Sequence, residues 1–182
     1  MIMEIKTGFQ RALPPTIDPG YEGRTIRYNL LSEIRLGGFT EVRDTRAVAQ
    51  HFVDPQNNKK NDHWDKEVVS LLIAAILHIR YCRRDKTVAG LIQFLSEANH
   101  CVYKMLRSMV VAKHDAKNIL NWMDPLTLKR TRTHPMIASI AREFLKRKED
   151  DLTIIVNVAL IYLKSYSEDK PCNVVIRDLK FG

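Results

Sequence analysis

The chain predicts an all-α soluble domain of about six to seven helices, with an irregular N-terminal segment and short strands at its edges. Three observations lead there. Apolar residues recur at helical spacing in one segment after another from Asp44 onward; no stretch alternates long enough to found a sheet; and the twelve residues from Val68 to Ile79 are almost wholly apolar. Such a run needs burial on nearly every side. It falls well short of the roughly 20 residues of a membrane span, and Asp65, Lys66, Glu67, Arg80, Arg83 and Arg84 flank it closely.

Residues 1–43 hold five of the seven glycines together with Pro14-Pro15 and Asp18-Pro19-Gly20, which makes this part turns and short extended pieces, Gly37-Gly38 among the turns. Thr25 to Tyr28 is a candidate brief strand. Asp44 is placed to cap a helix through about Phe52, and Asp54-Pro55 with the Asn-rich run after it makes a loop. The central helix follows over 61–82, with Asn61 or Asp62 as its cap. It sets Val68, Leu71, Leu72, Ala75, Ile76 and Ile79 on one face and Val69, Ile73 and Leu77 on much of the other. Ser70, Ala74 and His78 form a small or polar line that admits a neighbouring helix or gives His78 a buried partner. Trp64 is expected to staple the start of this helix onto the core.

Thr87 caps a helix bearing Val88, Leu91, Ile92 and Leu95, and another begins near Asn99 with Val102, Met105, Leu106 and Met109 inward. A short helix is expected from Asp115 to Trp122, ending at Asp124-Pro125, before the basic connector LTLKRTRT. His134-Pro135 opens an amphipathic helix, because proline is tolerated in a first turn. Its core face is Ile137, Ile140, Ala141, Phe144 and Leu145, with Glu143 and Arg147 as an i, i+4 pair opposite. Residues 152–166 carry β-branched Thr153-Ile154-Ile155-Val156, yet their length and Ala159, Leu160 and Leu163 favour a helix. The tail from Cys172 reads as extended.

The formal charge of +8 favours acidic partners such as nucleic acid or an anionic membrane face. Cys82, Cys101 and Cys172 are far apart and lack CxxC spacing, so neither a disulfide framework nor a zinc site is expected, and a reducing compartment fits. The start has no apolar region of signal-peptide kind. No GxxxxGK[ST], GxGxxG, HExxH or GxSxG occurs, so no phosphate cradle and no catalytic, cofactor or metal residue is assigned. His78, His114-Asp115 and Asp150 or Asp151 follow the order of helical HD-type metal phosphohydrolases, in which imidazoles and carboxylates hold a metal that activates water. A hydrogen-bonded core histidine and a helix cap explain the same residues more simply.

Basic residues are the better candidates for contact, because guanidinium and ammonium groups bind phosphates with little sequence preference. Lys129, Arg130 and Arg132 lie in an acid-free connector and are preferred; Arg80, Arg83 and Arg84 at the exit of the central helix come next. Lys146, Arg147 and Lys148 alternate with acids and read as a solvated helix end.

The residues taken in order also carry a resemblance. Tyr28-Asn29-Leu30-Leu31-Ser32-Glu33-Ile34-Arg35-Leu36-Gly37, Glu41-Val42-Arg43-Asp44, Val53-Asp54-Pro55, Asn61-Asp62-His63-Trp64, Ala75-Ile76-Leu77-His78 and His134-Pro135-Met136-Ile137-Ala138-Ser139-Ile140-Ala141-Arg142-Glu143 together resemble the conjugative coupling proteins of type IV secretion, the TraG/TraD kind. Asn57 and Asn58 stand where that family has loop glycines, and Leu30 where it has a proline. The resemblance implies a membrane-anchored hexameric ATPase as parent, with this chain as its all-alpha insertion at the cytoplasmic face of the bacterial inner membrane. On that reading 1–43 and 172–182 flank the insertion as edges of the interrupted nucleotide-binding domain, and 44–171 is the all-alpha domain. ATP and Mg would belong to the parent, leaving this chain without a cofactor or an enzyme activity of its own. The implied partners are relaxase and relaxosome proteins, a secreted substrate, and single- or double-stranded DNA. A stand-alone basic helical nucleic-acid-binding module is the alternative among binding functions, and the metal phosphohydrolase the alternative among enzymes.

Overall fold

A computed structural model describes residues 29–56, 63–98 and 101–166. The expected strand at Thr25 to Tyr28, the cap candidates Asn61 and Asp62, the helix start expected near Asn99 and the tail from Cys172 lie outside the described residues. Within them a short 3-10 helix, Leu30–Glu33, precedes six α-helices: α1 Glu41–Val53, α2 His63–Cys82, α3 Val88–Ala98, α4 Val102–Val111, α5 Pro135–Phe144 and α6 Glu149–Lys164. No named strand occurs among the described residues, and no helix there is long and apolar enough to cross a membrane.

Helix α2 is the hub, as its apolar run requires: α1, α3, α5 and α6 all pack on it. Every side chain from Leu71 to Ile79 is buried, whichever side of the helix it occupies. Around it the core takes Val48, Ala49 and Phe52 from α1, Leu91 and Leu95 from α3, Leu106 and Met109 from α4, Ile137 and Ala141 from α5, and Ile155, Ala159 and Leu163 from α6. The β-branched start of α6 does not make it a strand, because Leu152, Ile155, Val156, Ala159 and Leu163 form one inward stripe. Three phenols fasten the helices at their edges: Tyr162 donates to Asp65 Oδ1 at 2.8 Å, Tyr166 to the His51 carbonyl at 2.9 Å and Tyr103 to the Arg147 carbonyl at 2.7 Å.

Several local expectations change. Helix α1 starts at Glu41 behind Thr40, so Asp44 is not its cap. Asp44 lies buried in the first turn, where Thr40 and Arg35 bind its carboxylate. Leu30, Leu31 and Ile34, from the turn-rich segment, join the same core. Gly37 does sit in a turn, with a left-handed φ of 76°. Trp64 is not buried as a staple but is 45% exposed. Glu143 pairs with Lys146, while Arg147 crosses to Glu67 at 2.8 Å and stacks over Phe144.

Residues 115–122 form no helix. The Asp115 amide is bound to the Arg132 carbonyl and its carboxylate accepts from Leu120, which locks a loop, and Asn118 and Asn121 take left-handed φ values of 53° and 51° that no helix tolerates.

Gly90, in the first turn of α3, has a different constraint from an ordinary helix glycine. Thr87 Oγ1 accepts its amide, as the capping reading expected, and Thr87 is itself held by Asp85. A Cβ at Gly90 would lie 2.7 Å from both Asp85 Cγ and the Asp85 carbonyl oxygen. Gly90→Ala, which at an open helix site stabilises by about 1 kcal/mol, is therefore expected to destabilise by about 1–3 kcal/mol. Urea denaturation decides it; an unchanged or higher midpoint rules the clash out.

Candidate functional site

The C-terminal end of α2, the connector between α4 and α5, and the start of α1 converge on one buried polar cluster. His134 is the N-cap of α5, its Nδ1 accepting the Met136 amide at 3.2 Å, so its proton is on Nε2, 3.6 Å from Glu41 Oε2. The His134 amide in turn donates to His114 Nδ1 at 3.2 Å. In a neutral His114 that leaves the proton on Nε2, which donates to His78 Nδ1 at 3.1 Å. His78 is thus a core histidine with a buried partner, as the small polar line on α2 allowed. His114 and His134 are buried too.

Burial, reinforced by Arg83, lowers His78 to about 4. Burial, reinforced by the two neighbouring imidazoles, lowers His114 to about 3. Both rings are therefore neutral at pH 7. Burial alone would raise the Glu41 carboxyl, but the His134 and Tyr81 side chains facing it more than offset that and hold it below its ordinary value. The Tyr81 hydroxyl, buried and outside hydrogen-bond geometry, is pushed up by burial and then by the Glu41 carboxylate. Aromatic contacts complete the cluster: Tyr81 meets Trp122 edge-on at 5.5 Å between centroids, and Trp122 meets His134 at 4.7 Å.

This cluster anchors the connector, which is a hairpin rather than a loose loop. Met123 and Arg130 pair as an isolated antiparallel bridge, flanked by the Asp124 amide on the Lys129 carbonyl and the Thr131 amide on the Trp122 carbonyl. Asp124 closes its turn by accepting from the Leu126 and Thr127 amides, and its carboxylate grips Arg142 of α5. The Arg142 hydrogen bond, then the Leu126 amide, bring the Asp124 carboxyl down to about 2.

Of the candidate contact residues, Lys129, Arg130 and Arg132 are exposed on this hairpin. Arg84 is exposed beyond α2. Arg83 is engaged with Glu97 and lies over the Phe94 ring, 5.1 Å from its centroid. Arg80 is half-buried, donates to the Ile34 carbonyl at 3.2 Å and keeps a buried Nε, so it braces the fold at that point. His78 and His114 of the metal-phosphohydrolase order do meet. Asp115, however, is bound to the Leu120 amide, and Asp150 and Asp151 stand exposed in the first turn of α6.

Sequence reasoning missed the apolar half of this surface. Ile119, Met123, Leu126 and Leu128 of the connector are all more than half exposed, Leu126 at 74%. Their signal was present: four large apolar residues among Asn, Asp and Pro, outside any helical periodicity.

A family model described as type IV secretory system conjugative DNA transfer matches residues 16–153. A conjugal transfer protein TraG of Escherichia coli is 28% identical over 156 residues, covering 83% of this chain and 22% of the relative. A second TraG of Escherichia coli is 29% identical over 146 residues, covering 78% and 21%. The chain thus spans about a fifth of the length of these curated relatives. No solved structure matches. The match spans α1 to α5 and the start of α6, and with them the histidine cluster and the anchored hairpin, and by it the chain belongs to the type IV secretory system conjugative DNA transfer family.

Proposed function

We propose that this chain is the substrate-recruiting all-alpha domain of a coupling protein in conjugative DNA transfer, and that the hairpin between α4 and α5 is its contact surface. The observation that carries the reading is the mixed character of that hairpin. Exposed Lys129, Arg130 and Arg132 suit phosphates and acidic side chains, while exposed Leu126 and Leu128 suit a protein face. A relaxosome, as a protein–DNA assembly, offers both. In this reading the parent is a membrane-anchored hexameric ATPase, this domain works on the cytoplasmic side, and ATP is hydrolysed by the parent's nucleotide-binding domain rather than by this chain. The absence of a GxxxxGK[ST] segment in the sequence supports that division of labour.

Two sets of substitutions separate the DNA contact from the protein contact. Replacing Lys129, Arg130 and Arg132 together by alanine is expected to weaken DNA binding and to flatten its salt dependence, the log–log slope falling by about 0.9 for each phosphate no longer neutralised. Leu126→Asp with Leu128→Asp is expected to abolish capture of the cognate relaxosome proteins and to leave the DNA salt slope in place. Unchanged DNA affinity and slope in the first set eliminates the basic residues as phosphate ligands. Unchanged capture in the second eliminates the hairpin as the protein-binding surface.

A further inference from the structure

We propose that His78, Cys82 and His114 form a binding site for one divalent ion of borderline-soft character, with Zn²⁺ as the fitting ion. The three offer one ligand atom each, and those atoms all lie within 4.8 Å of one another. Their placement follows from the fold. His78 and Cys82 are four residues apart on the last turns of α2, so they share a face one turn from each other. His114 reaches the same spot from the connector, which the Asp115 amide on the Arg132 carbonyl and the Asp124–Arg142 pair hold in place.

The spacing is close to that of a tetrahedral zinc site. Zinc–nitrogen bonds of about 2.0–2.1 Å and zinc–sulfur bonds of about 2.3 Å set ligand atoms roughly 3.3 Å apart for two imidazoles and roughly 3.6 Å for imidazole and thiolate. His78 Nδ1 and His114 Nε2 already stand 3.1 Å apart. The remaining closure falls to Cys82, whose side chain is exposed and can turn about χ1. Two imidazoles and a thiolate suit zinc rather than magnesium or calcium, which select oxygen.

The proton balance is explicit. In the metal-free cluster one proton bridges the two imidazoles. The ion takes that position, the bridging proton moves to the outer edge of the His114 ring, where the Ala112 carbonyl accepts it, and the His134 amide gives up its bond to the ring. The Cys82 thiol loses its proton to solvent as the sulfur–metal bond forms. A fourth position stays open to solvent, as in sites with three protein ligands. The ion would join α2 to the connector that carries the hairpin.

The test uses Co²⁺ and Zn²⁺ on the full 182-residue chain, reduced with a non-thiol reductant. Expected are a thiolate-to-cobalt charge-transfer band, saturation at one equivalent, and displacement of the cobalt by zinc. Cys82→Ser, exposed and so harmless to folding, removes the band and weakens zinc by at least about 100-fold. Cys101→Ser, an equally exposed cysteine elsewhere, leaves both unchanged. Absence of the band in the parent chain, or equal zinc affinity in Cys82→Ser, overturns the site. Magnesium binding at the same residues overturns the assignment of the ion.

Discussion

Ile76→Ala is expected to be the most damaging single truncation, costing about 2–5 kcal/mol. Ile76 is fully buried in α2, the helix on which four others pack. The loss combines the transfer of about three methylene-sized groups with the void left behind. Interiors packed at crystal-like density relax only in part to fill such a void. An exposed apolar residue of similar size is the control: Ile161→Ala on α6, with Ile161 65% exposed, is expected to change stability by less than about 0.5 kcal/mol. Urea midpoints of the two variants make the comparison. Equal midpoints would show that α2 is not the centre on which the core depends.

The second large effect is acid sensitivity between pH 7 and pH 5, measured with a chelator present. His78 and His114 have folded values of about 4 and about 3, set first by burial. An unfolded histidine titrates near pH 6.5. Below that value the unfolded chain takes up protons that the folded chain refuses, so stability falls with pH until the folded rings titrate in turn. At pH 5 each ring lies about 1.5 pH units below its unfolded value, and the two together are expected to remove about 3–4 kcal/mol. His51, lowered by burial, adds in the same direction. The depressed carboxylates Glu41, Asp44 and Asp124 have unfolded values near 4, so their contribution is lost only below this window. His114→Gln is expected to flatten the slope. A wild-type midpoint identical at pH 5 and pH 7 would contradict the burial of neutral rings.

The helices legible in the sequence are those whose periodicity has one dominant cause. Val68 to Ile79 declares its own burial, and the inward faces of α3, α4 and α5 follow from i, i+3, i+4 spacing. In α6 the length and the later Ala159, Leu160 and Leu163 outweigh the β-branched start. Residues 115–122 depart from the expected helix because Asp115 spends its amide and carboxylate on bonds with Arg132 and Leu120, the first of them distant in sequence. Asp44 departs from its expected role because Arg35, nine residues earlier, claims a carboxylate that local rules assign to a cap. The candidate cations are visible from composition alone. Composition cannot separate Arg80, drawn into the Ile34 carbonyl, from Lys129 and Arg130, held out on the hairpin. The His78, Cys82 and His114 constellation escapes for a related reason. Its three members follow no finger-like spacing, and only the packing of the connector against α2 unites them.

The hairpin's anchorage has a mechanical meaning. Pulled outward, the hairpin does not swing like a flap, because Trp122 is wedged against Tyr81 and His134, and Asp124 is clasped by Arg142. Tension applied at its tip runs through those groups into α2 and α5, two helices seated deep in the domain. A pull on Lys129 is therefore a pull on the body of the domain, transmitted rather than dissipated.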